Sequence, residues 1–256
     1  GLITYMRTDS PTLSTQAIAA ARDAVKELYG EKYLPTEPRS YSSKDKQAQE
    51  AHEAIRPAGS EFTHPDRTGL SGTARDLYEL IWMRTVACQM VDAQKKSVTV
   101  KIESADAVFN ATGSTILFPG YLRAYVEGSD DPSAALADKE TILPPLKPGD
   151  SLRLVGVESL EHETQPPARF TEASIVRELE KAGIGRPATY ASIISTLIDR
   201  DYVRKNGNAL VPSFTGIAVT QLLVKHFTHL VDAKFTSEME RSLDEIAEGK
   251  KEYLPY

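Results

Sequence analysis

Cysteine is nearly missing from this 256-residue chain, and long apolar runs are missing altogether. The single Cys88 rules out an internal disulfide and any cysteine-rich zinc site in the chain, which suits a reducing compartment. It sits in the apolar run Trp-Met-Arg-Thr-Val-Ala-Cys88, the setting of a small core residue. No stretch of about eighteen apolar residues occurs, so no membrane span is expected. No charged-then-apolar leader opens the chain, so no export signal is expected and the cytoplasm is the expected compartment. Internal repeats are also lacking. What remains is ordinary for a globular protein, 41% hydrophobic and 26% charged, and long enough for one large domain or two to three small ones.

The net charge of −6 excludes less than it first suggests. Residues 92–165 hold 12 acidic and 7 basic groups, whereas 1–91 and 166–256 are close to neutral. A basic groove on either flank is therefore compatible with the total, because binding follows the local field.

Periodicity divides the chain into a helical first part, a β-rich middle and a helical last part. Thr12 or Ser14 can cap a helix with the stripe Ile18, Ala21, Val25 and Leu28, ended by Gly30. A second helix is expected over Lys44–Arg56, stopped by Pro57. A third is expected over Ser71–Met90, packing Leu77, Leu80, Ile81 and Trp82. Alternation then marks strands at Ser97–Ile102, Ala107–Thr112, Ser114–Phe118 and Ser151–Val157, with Gly113 and Gly120 as turns. The acidic, polar stretch 127–141 reads as a mobile loop. After Pro166-Pro167, Thr171 caps a helix that ends at Gly183, and Pro187 opens another that runs to Arg200. A hairpin follows around Asn206-Gly207, then helices over Gly216–Phe227 and from Ser237, where Glu240 would complete a capping box. Two tightly joined helices followed by a hairpin make a winged-helix-like order. The start at Gly1 and the close at Tyr253-Leu-Pro-Tyr256 both read as cut ends.

Three clusters could carry chemistry. In Leu-Ile-Thr-Tyr5-Met-Arg7-Thr-Asp9 the phenol, guanidinium and carboxylate fall at alternate positions, one face of an extended segment. Taken alone, such a tyrosine reads more readily as part of the packed face of a strand. In Ala-His52-Glu53-Ala-Ile-Arg56-Pro57, His52 and Arg56 would share a helix face and Glu53 would stand three residues from Arg56. That too has a plain reading, a solvated helix with an ordinary ion pair. The third, Gly183-Ile-Gly-Arg186-Pro-Ala-Thr189-Tyr190, places Arg186, Thr189 and backbone N–H groups at a helix start, where a phosphate can bind. Alone, it is also a glycine-containing turn.

These clusters, with Pro167-Ala-Arg-Phe-Thr-Glu-Ala-Ser174 and the continuation Ala-Ser-Ile-Ile194, resemble the bacterial type IA DNA topoisomerase family over essentially the whole chain. The resemblance implies a multidomain α+β fragment of a toroid. Its parts would be a mainly helical tyrosine-bearing domain (1–91), a β-rich arch domain (92–165) and a helical, winged-helix-like DNA-groove domain (166–256). It implies that Tyr5 is the nucleophile of an ATP-independent single-strand cleavage through a 5′-phosphotyrosine, relaxing negatively supercoiled DNA. Arg7 would grip the scissile phosphate, with Asp9 orienting Arg7 or relaying a proton. His52 would contact the phosphate or carry a proton, with Glu53 and Arg56 supporting. Arg186 and Thr189 would line a single-strand-binding groove, in which Ala188 replaces the family's common serine, and Tyr190 would stack on a base or pack.

The family's magnesium site, an Asp-x-Asp-x-Glu pattern in an N-terminal Toprim domain, has no counterpart here, nor do its zinc ribbons. Mg2+ is thus expected only in the full-length enzyme, with ligands outside this chain, and no nucleotide cofactor is expected. The implied partners are single-stranded or negatively supercoiled DNA and the Toprim domain of the same protein. A monomer acting at the bacterial nucleoid is expected. The alternative is a module that binds single-stranded DNA without turnover.

Overall fold

In the computed structural model, residues 1–41, 52–126 and 142–254 are described. The expected loop at 127–141 and residues 44–51 of the expected second helix lie outside them. Contacts divide the chain into two units. One comprises Gly1–Thr4, Leu13–Ser40 and Arg56–Pro167, the other Tyr5–Thr12, Tyr41–Ile55 and Ala168–Tyr256.

In the first unit, α1 (Thr15–Tyr29) begins where the Ser14 side chain accepts the Ala17 N–H. It ends at Gly30, φ 91°, whose N–H reaches back to the Val25 and Lys26 carbonyls. Both expected ends hold, but the buried stripe is Ala17, Ala21 and Val25, while Leu28 is exposed. The regular four-residue spacing of 17, 21 and 25 keeps these side chains on one face.

The next helix, α2 (Gly72–Ala87), stands where expected and buries Trp82 as expected, but Leu77 and Leu80 do not face the core. Tyr78, Trp82, Thr85 and Val86 are buried, whereas Leu77 is 55% and Leu80 46% exposed. The two large rings remove more apolar area from water than the two leucines would. Tyr78 keeps its polar tip satisfied by donating to the Thr63 carbonyl at 2.7 Å. Around α2 the core gathers Val25, Tyr33, Met90 and Ala124, and Tyr33 stacks on Phe118 at 5.0 Å.

One polar residue is fully enclosed here. Gln89 donates from Nε2 to the Arg39 carbonyl (2.9 Å) and accepts the Arg39 N–H at Oε1 (3.1 Å), so one amide satisfies both backbone groups of a connecting residue.

Among the described residues the β-rich middle is one antiparallel hairpin, β1 (Gln94–Ser104) with β2 (Ala107–Phe118). Gly113, expected as a turn, lies inside β2 opposite Val98; the chain reverses at Ala105-Asp106, with Ala105 at φ 52°. The strand expected over Ser151–Val157 does not form, and Val155 is 90% exposed. Its alternation is real, but no neighbouring strand among the described residues takes its backbone groups, and unpaired backbone does not make a strand.

In the second unit, α3 (Glu172–Ala182) opens on a capping box between Thr171 and Ser174 and closes at Gly183, φ 71°. After a turn, α4 (Tyr190–Asp199) starts three residues beyond the expected Pro187. Strands β3 (Val203–Asn206) and β4 (Ala209–Pro212) form the expected hairpin, with Gly207 at φ 59°. Thr171 bridges Ala209, and the Leu210 N–H donates to Phe170 at 2.7 Å, tying the hairpin to the start of α3.

Helix α5 (Phe214–His226), capped by Ser213, passes so close to Tyr202 that a Cβ at Gly216 would lie 2.1 Å from its carbonyl oxygen. The last helix, α6 (Ala233–Ala247), is capped by Asp232, which accepts the Lys234 N–H, and not by Ser237. An ionised acceptor one turn earlier outcompetes the hydroxyl, so Ser237 and Glu240 fall inside the helix. No helix among the described residues is long and apolar enough to cross a membrane.

Replacing Gln89 with leucine strands the Arg39 N–H and carbonyl away from water. Urea denaturation should register a loss of about 1–3 kcal/mol, and Gln89→Glu, which keeps the acceptor but loses the donor, should also be less stable than the parent.

Candidate active site

The extended run that leads to Tyr5 is short. Ile3 pairs with Pro57, and the chain then bends at Thr4, Met6 and Arg7. Strand alternation therefore does not align Tyr5, Arg7 and Asp9 on one face, contrary to the sequence expectation. All three are exposed, Tyr5 at 53%.

The helix expected through Arg56 is not formed by its described part. Residues 52–56 are neither helix nor strand, so His52 and Arg56 do not share a helix face, and Glu53 is not helically placed against Arg56. Backbone pairing takes the helix's place. In the second unit the Ala54 N–H donates to the Thr12 carbonyl at 2.8 Å. In the first, Thr4 N–H donates to the Arg56 carbonyl (2.9 Å), Arg56 N–H to Thr4 Oγ1 (3.0 Å) and Ala58 N–H to the Leu2 carbonyl (2.9 Å). Pro57 reinforces this by disfavouring the helical region at Arg56.

That pairing is how a histidine far along the chain meets the tyrosine. The His52 and Tyr5 rings lie 5.2 Å apart at 42°. Arg7 has no ion pair or hydrogen bond through its side chain among the described residues, so its exposed charge is uncommitted and it does not pair with Asp9. Arg56 is the opposite case. It is 7% exposed, and its Nη1 donates to the Pro57 carbonyl at 2.8 Å and the Gly59 carbonyl at 3.2 Å. Its guanidinium fastens a loop of the first unit. Glu53 is half-buried.

The glycine-rich turn belongs to the second unit. Thr189 Oγ1 accepts the Arg186 N–H (2.9 Å) and donates to the Arg186 carbonyl (3.0 Å), closing the turn on itself. Arg186 donates from Nη1 to the Gly185 carbonyl (2.7 Å) and forms ion pairs with Glu240 (3.2 Å) and Asp244 (2.5 Å) of α6. Gly185, at φ 79°, lies under Tyr190, whose Cε1 would be 2.9 Å from an added Cβ. Burial pushes the Tyr190 phenol above its ordinary range, and the carboxylates of Glu180, Asp9 and Glu240 push the same way against Arg186. Tyr190 is thus a packing residue of the turn, within the field of the segment that carries Tyr5.

Glu240 and Asp244 escaped the sequence reading, which assigned Glu240 to a cap. Their four-residue spacing on a helix was the available signal. Among the described residues no group of three or more His, Cys, Asp or Glu could hold a metal. The residues present therefore do not fit the magnesium ion that the resemblance implies.

Over residues 1–256 the sequence matches the DNA topoisomerase family. It is 59% identical over 256 residues to DNA topoisomerase 1 of Synechocystis sp., covering all of this chain and 28% of that protein. With DNA topoisomerase 1 of Streptomyces coelicolor the identity is 57% over 261 residues, again covering all of this chain and 27% of the relative. The full-length topoisomerase I structure from Thermotoga maritima matches 98% of this chain and 39% of its own, at 36% identity and a TM-score of 0.81. The chain thus spans little more than a quarter of the length of these curated relatives.

Alanine at Gly185 would combine a left-handed backbone with a contact on the Tyr190 ring. The variant should lose about 1–3 kcal/mol in chemical denaturation, and a tyrosine fluorescence change on unfolding should report the loss from this unit.

Proposed function

Since this chain belongs to the DNA topoisomerase family, we propose that it carries the strand-cleaving tyrosine of a type IA enzyme acting on single-stranded or negatively supercoiled DNA. The observation that supports this most is the pairing of an exposed Tyr5 with His52 at 5.2 Å, beside an uncommitted Arg7.

The Tyr5 phenolate oxygen attacks the phosphorus of a backbone phosphodiester. A P–O(Tyr5) bond forms, the P–O3′ bond breaks, and the 3′ oxygen leaves with a proton. The 5′ end stays on Tyr5 as a phosphotyrosine. One phosphodiester replaces another, so the energy of the broken bond is kept and the 3′ hydroxyl can reverse the step without a nucleotide.

A phenol ordinarily titrates near 10, so attack at neutral pH needs a proton acceptor or a cationic setting. His52, whose ring lies 5.2 Å from that of Tyr5, is assigned to take the proton and later return it. Arg7 offers its N–H groups to the phosphate oxygens as negative charge builds in the transition state. Asp9, unpaired with Arg7, faces Tyr190 electrostatically and is assigned to holding the segment near the turn. Arg186 and Thr189 belong to the groove that receives the strand. Glu53 and Arg56 support the pairing that presents His52. The arch and groove domains of a toroid, a monomeric state and work at the bacterial nucleoid complete the reading. No step is routed through magnesium, whose ligands the family resemblance places outside this chain.

The test uses the 256 residues placed in the corresponding stretch of the Synechocystis relative, with an oligonucleotide labelled at its 3′ end, so that the label stays with the fragment held by Tyr5. The labelled strand should become covalently attached to protein through the new 5′ end. Tyr5→Phe should abolish the adduct, and Arg7→Ala should slow its formation about 100-fold. An adduct persisting in Tyr5→Phe sinks the assignment. Binding of the strand without any adduct would favour the module that holds DNA without turnover.

A further inference from the structure

Helix α6 presents one stripe, Ser237, Glu240 and Asp244, to the whole Gly183–Arg186 turn. At one end, Ser237 Oγ lies 2.9 Å from where a Cβ on Gly183 would be. In the middle, Glu240 Oε1 accepts the Gly185 N–H at 3.3 Å while its Oε2 meets Arg186 Nη1 at 3.2 Å. At the other end, Asp244 Oδ2 takes Arg186 Nη2 at 2.5 Å. Glu240 therefore holds the backbone and the side chain of adjacent turn residues at once, and both carboxylates come from one helix face.

We infer that Glu240 and Asp244 are positioning residues for the DNA-receiving turn, fixing Arg186 in the orientation in which its remaining N–H groups meet a phosphate. This rests on the reading of Arg186 as a groove residue. Two of the guanidinium's five N–H groups donate hydrogen bonds, to the Gly185 carbonyl and Asp244, and Glu240 adds an ion pair, so N–H groups remain for a phosphate.

Two opposed effects act on phosphate binding. Two carboxylates around one guanidinium leave a net negative cluster, which opposes a phosphate. Against that, a free arginine side chain must be ordered when it binds, and the clamp removes that cost beforehand. The cluster is partly exposed, so salt screens the repulsion, whereas the fixed geometry is unaffected by salt. Pre-ordering wins.

The test compares Asp244→Asn, Glu240→Gln, Asp244→Glu and Arg186→Ala, in this chain and in the Synechocystis hybrid, by binding of a labelled single-stranded oligonucleotide across a salt series. Asp244→Asn and Glu240→Gln should weaken binding about tenfold and lower the slope of log affinity against log salt by about 0.7, one phosphate contact. Asp244→Glu, which keeps the charge, should restore most of the affinity. In an Arg186→Ala background Asp244→Asn should have no further effect. A general folding defect would not single out one phosphate contact or vanish in that background.

Tighter binding by Asp244→Asn would show that the carboxylates hold Arg186 back from DNA, and unchanged binding in both variants would show that the turn holds itself. Either result overturns the inference. Hydrogen exchange at the Gly185 amide, read without DNA, should quicken in Glu240→Gln, and unchanged exchange also overturns it. If the hybrid forms no Tyr5 adduct while Gly185 exchange responds as expected, the functional reading has failed and the clamp has not.

Discussion

The candidate site depends on backbone hydrogen bonds between the first dozen residues and the stretch around Pro57. In the second unit the Ala54–Thr12 bond lays residues 52–55 beside residues 5–12, and the Tyr5–His52 contact follows from it. In the first, the Thr4–Arg56 and Leu2–Ala58 bonds form a short antiparallel pairing. A helix through His52 would have met its own hydrogen bonds and had no reason to seek the N-terminal segment. An extended stretch must find a partner, because buried amides left unpaired are costly. Closing the chain between the two segments, which includes α1, costs an entropy that grows only slowly with its length, so distance in sequence is no obstacle to the meeting.

Three arginines show how burial sorts one residue type into different tasks. Arg56 is enclosed and meets carbonyl dipoles, Arg186 is half-exposed and meets two carboxylates, and Arg7 is exposed and meets neither. Half-exposed Arg75 and exposed Arg204 also find carboxylates, which they keep below the usual carboxylate range at Asp66 and Asp201. Those surface pairs contribute little to stability. Arg7 differs from them in having no such neighbour, and a cation left without one is the kind a phosphate can use.

The helices were legible because their information is local. Ser14, Gly30, Thr171 and Gly183 cap and stop helices as their side chains or left-handed backbones require, and Asn206-Gly207 turns a hairpin as expected. The errors have a common physical source, which is competition from residues remote in sequence. Which face of α2 turned inward was settled by the core around Tyr33 and Met90, and the sequence of α2 is apolar on more than one face. Ser151–Val157 alternates like a strand but finds no partner. The His-Glu-Ala-Ile-Arg-Pro stretch lost its expected helix to pairing with residues distant in sequence. Ser237 is a lesson of a different kind, since a better cap stood one turn earlier at Asp232. The motif residues were visible in the sequence, but the geometry joining them was not.

On the function proposed above, a chain of net negative charge meets polyanionic DNA through the positive charge that is left free. Around the turn, Arg186 is already outnumbered by Glu240 and Asp244, and Asp9 adds a further negative charge near Tyr190. Such a surface does not draw DNA from a distance, because beyond about 8–10 Å at physiological salt the fields of mixed charges are screened. Recognition then rests on contacts made at close range by donors held in place, Arg7 at the tyrosine and the turn at α6. That suits the proposed cleavage, which must be reversible. A nucleophile held against a tightly gripping basic surface would resist release of the resealed strand, whereas a few ordered donors stabilise the transferring phosphate and let the intact backbone go.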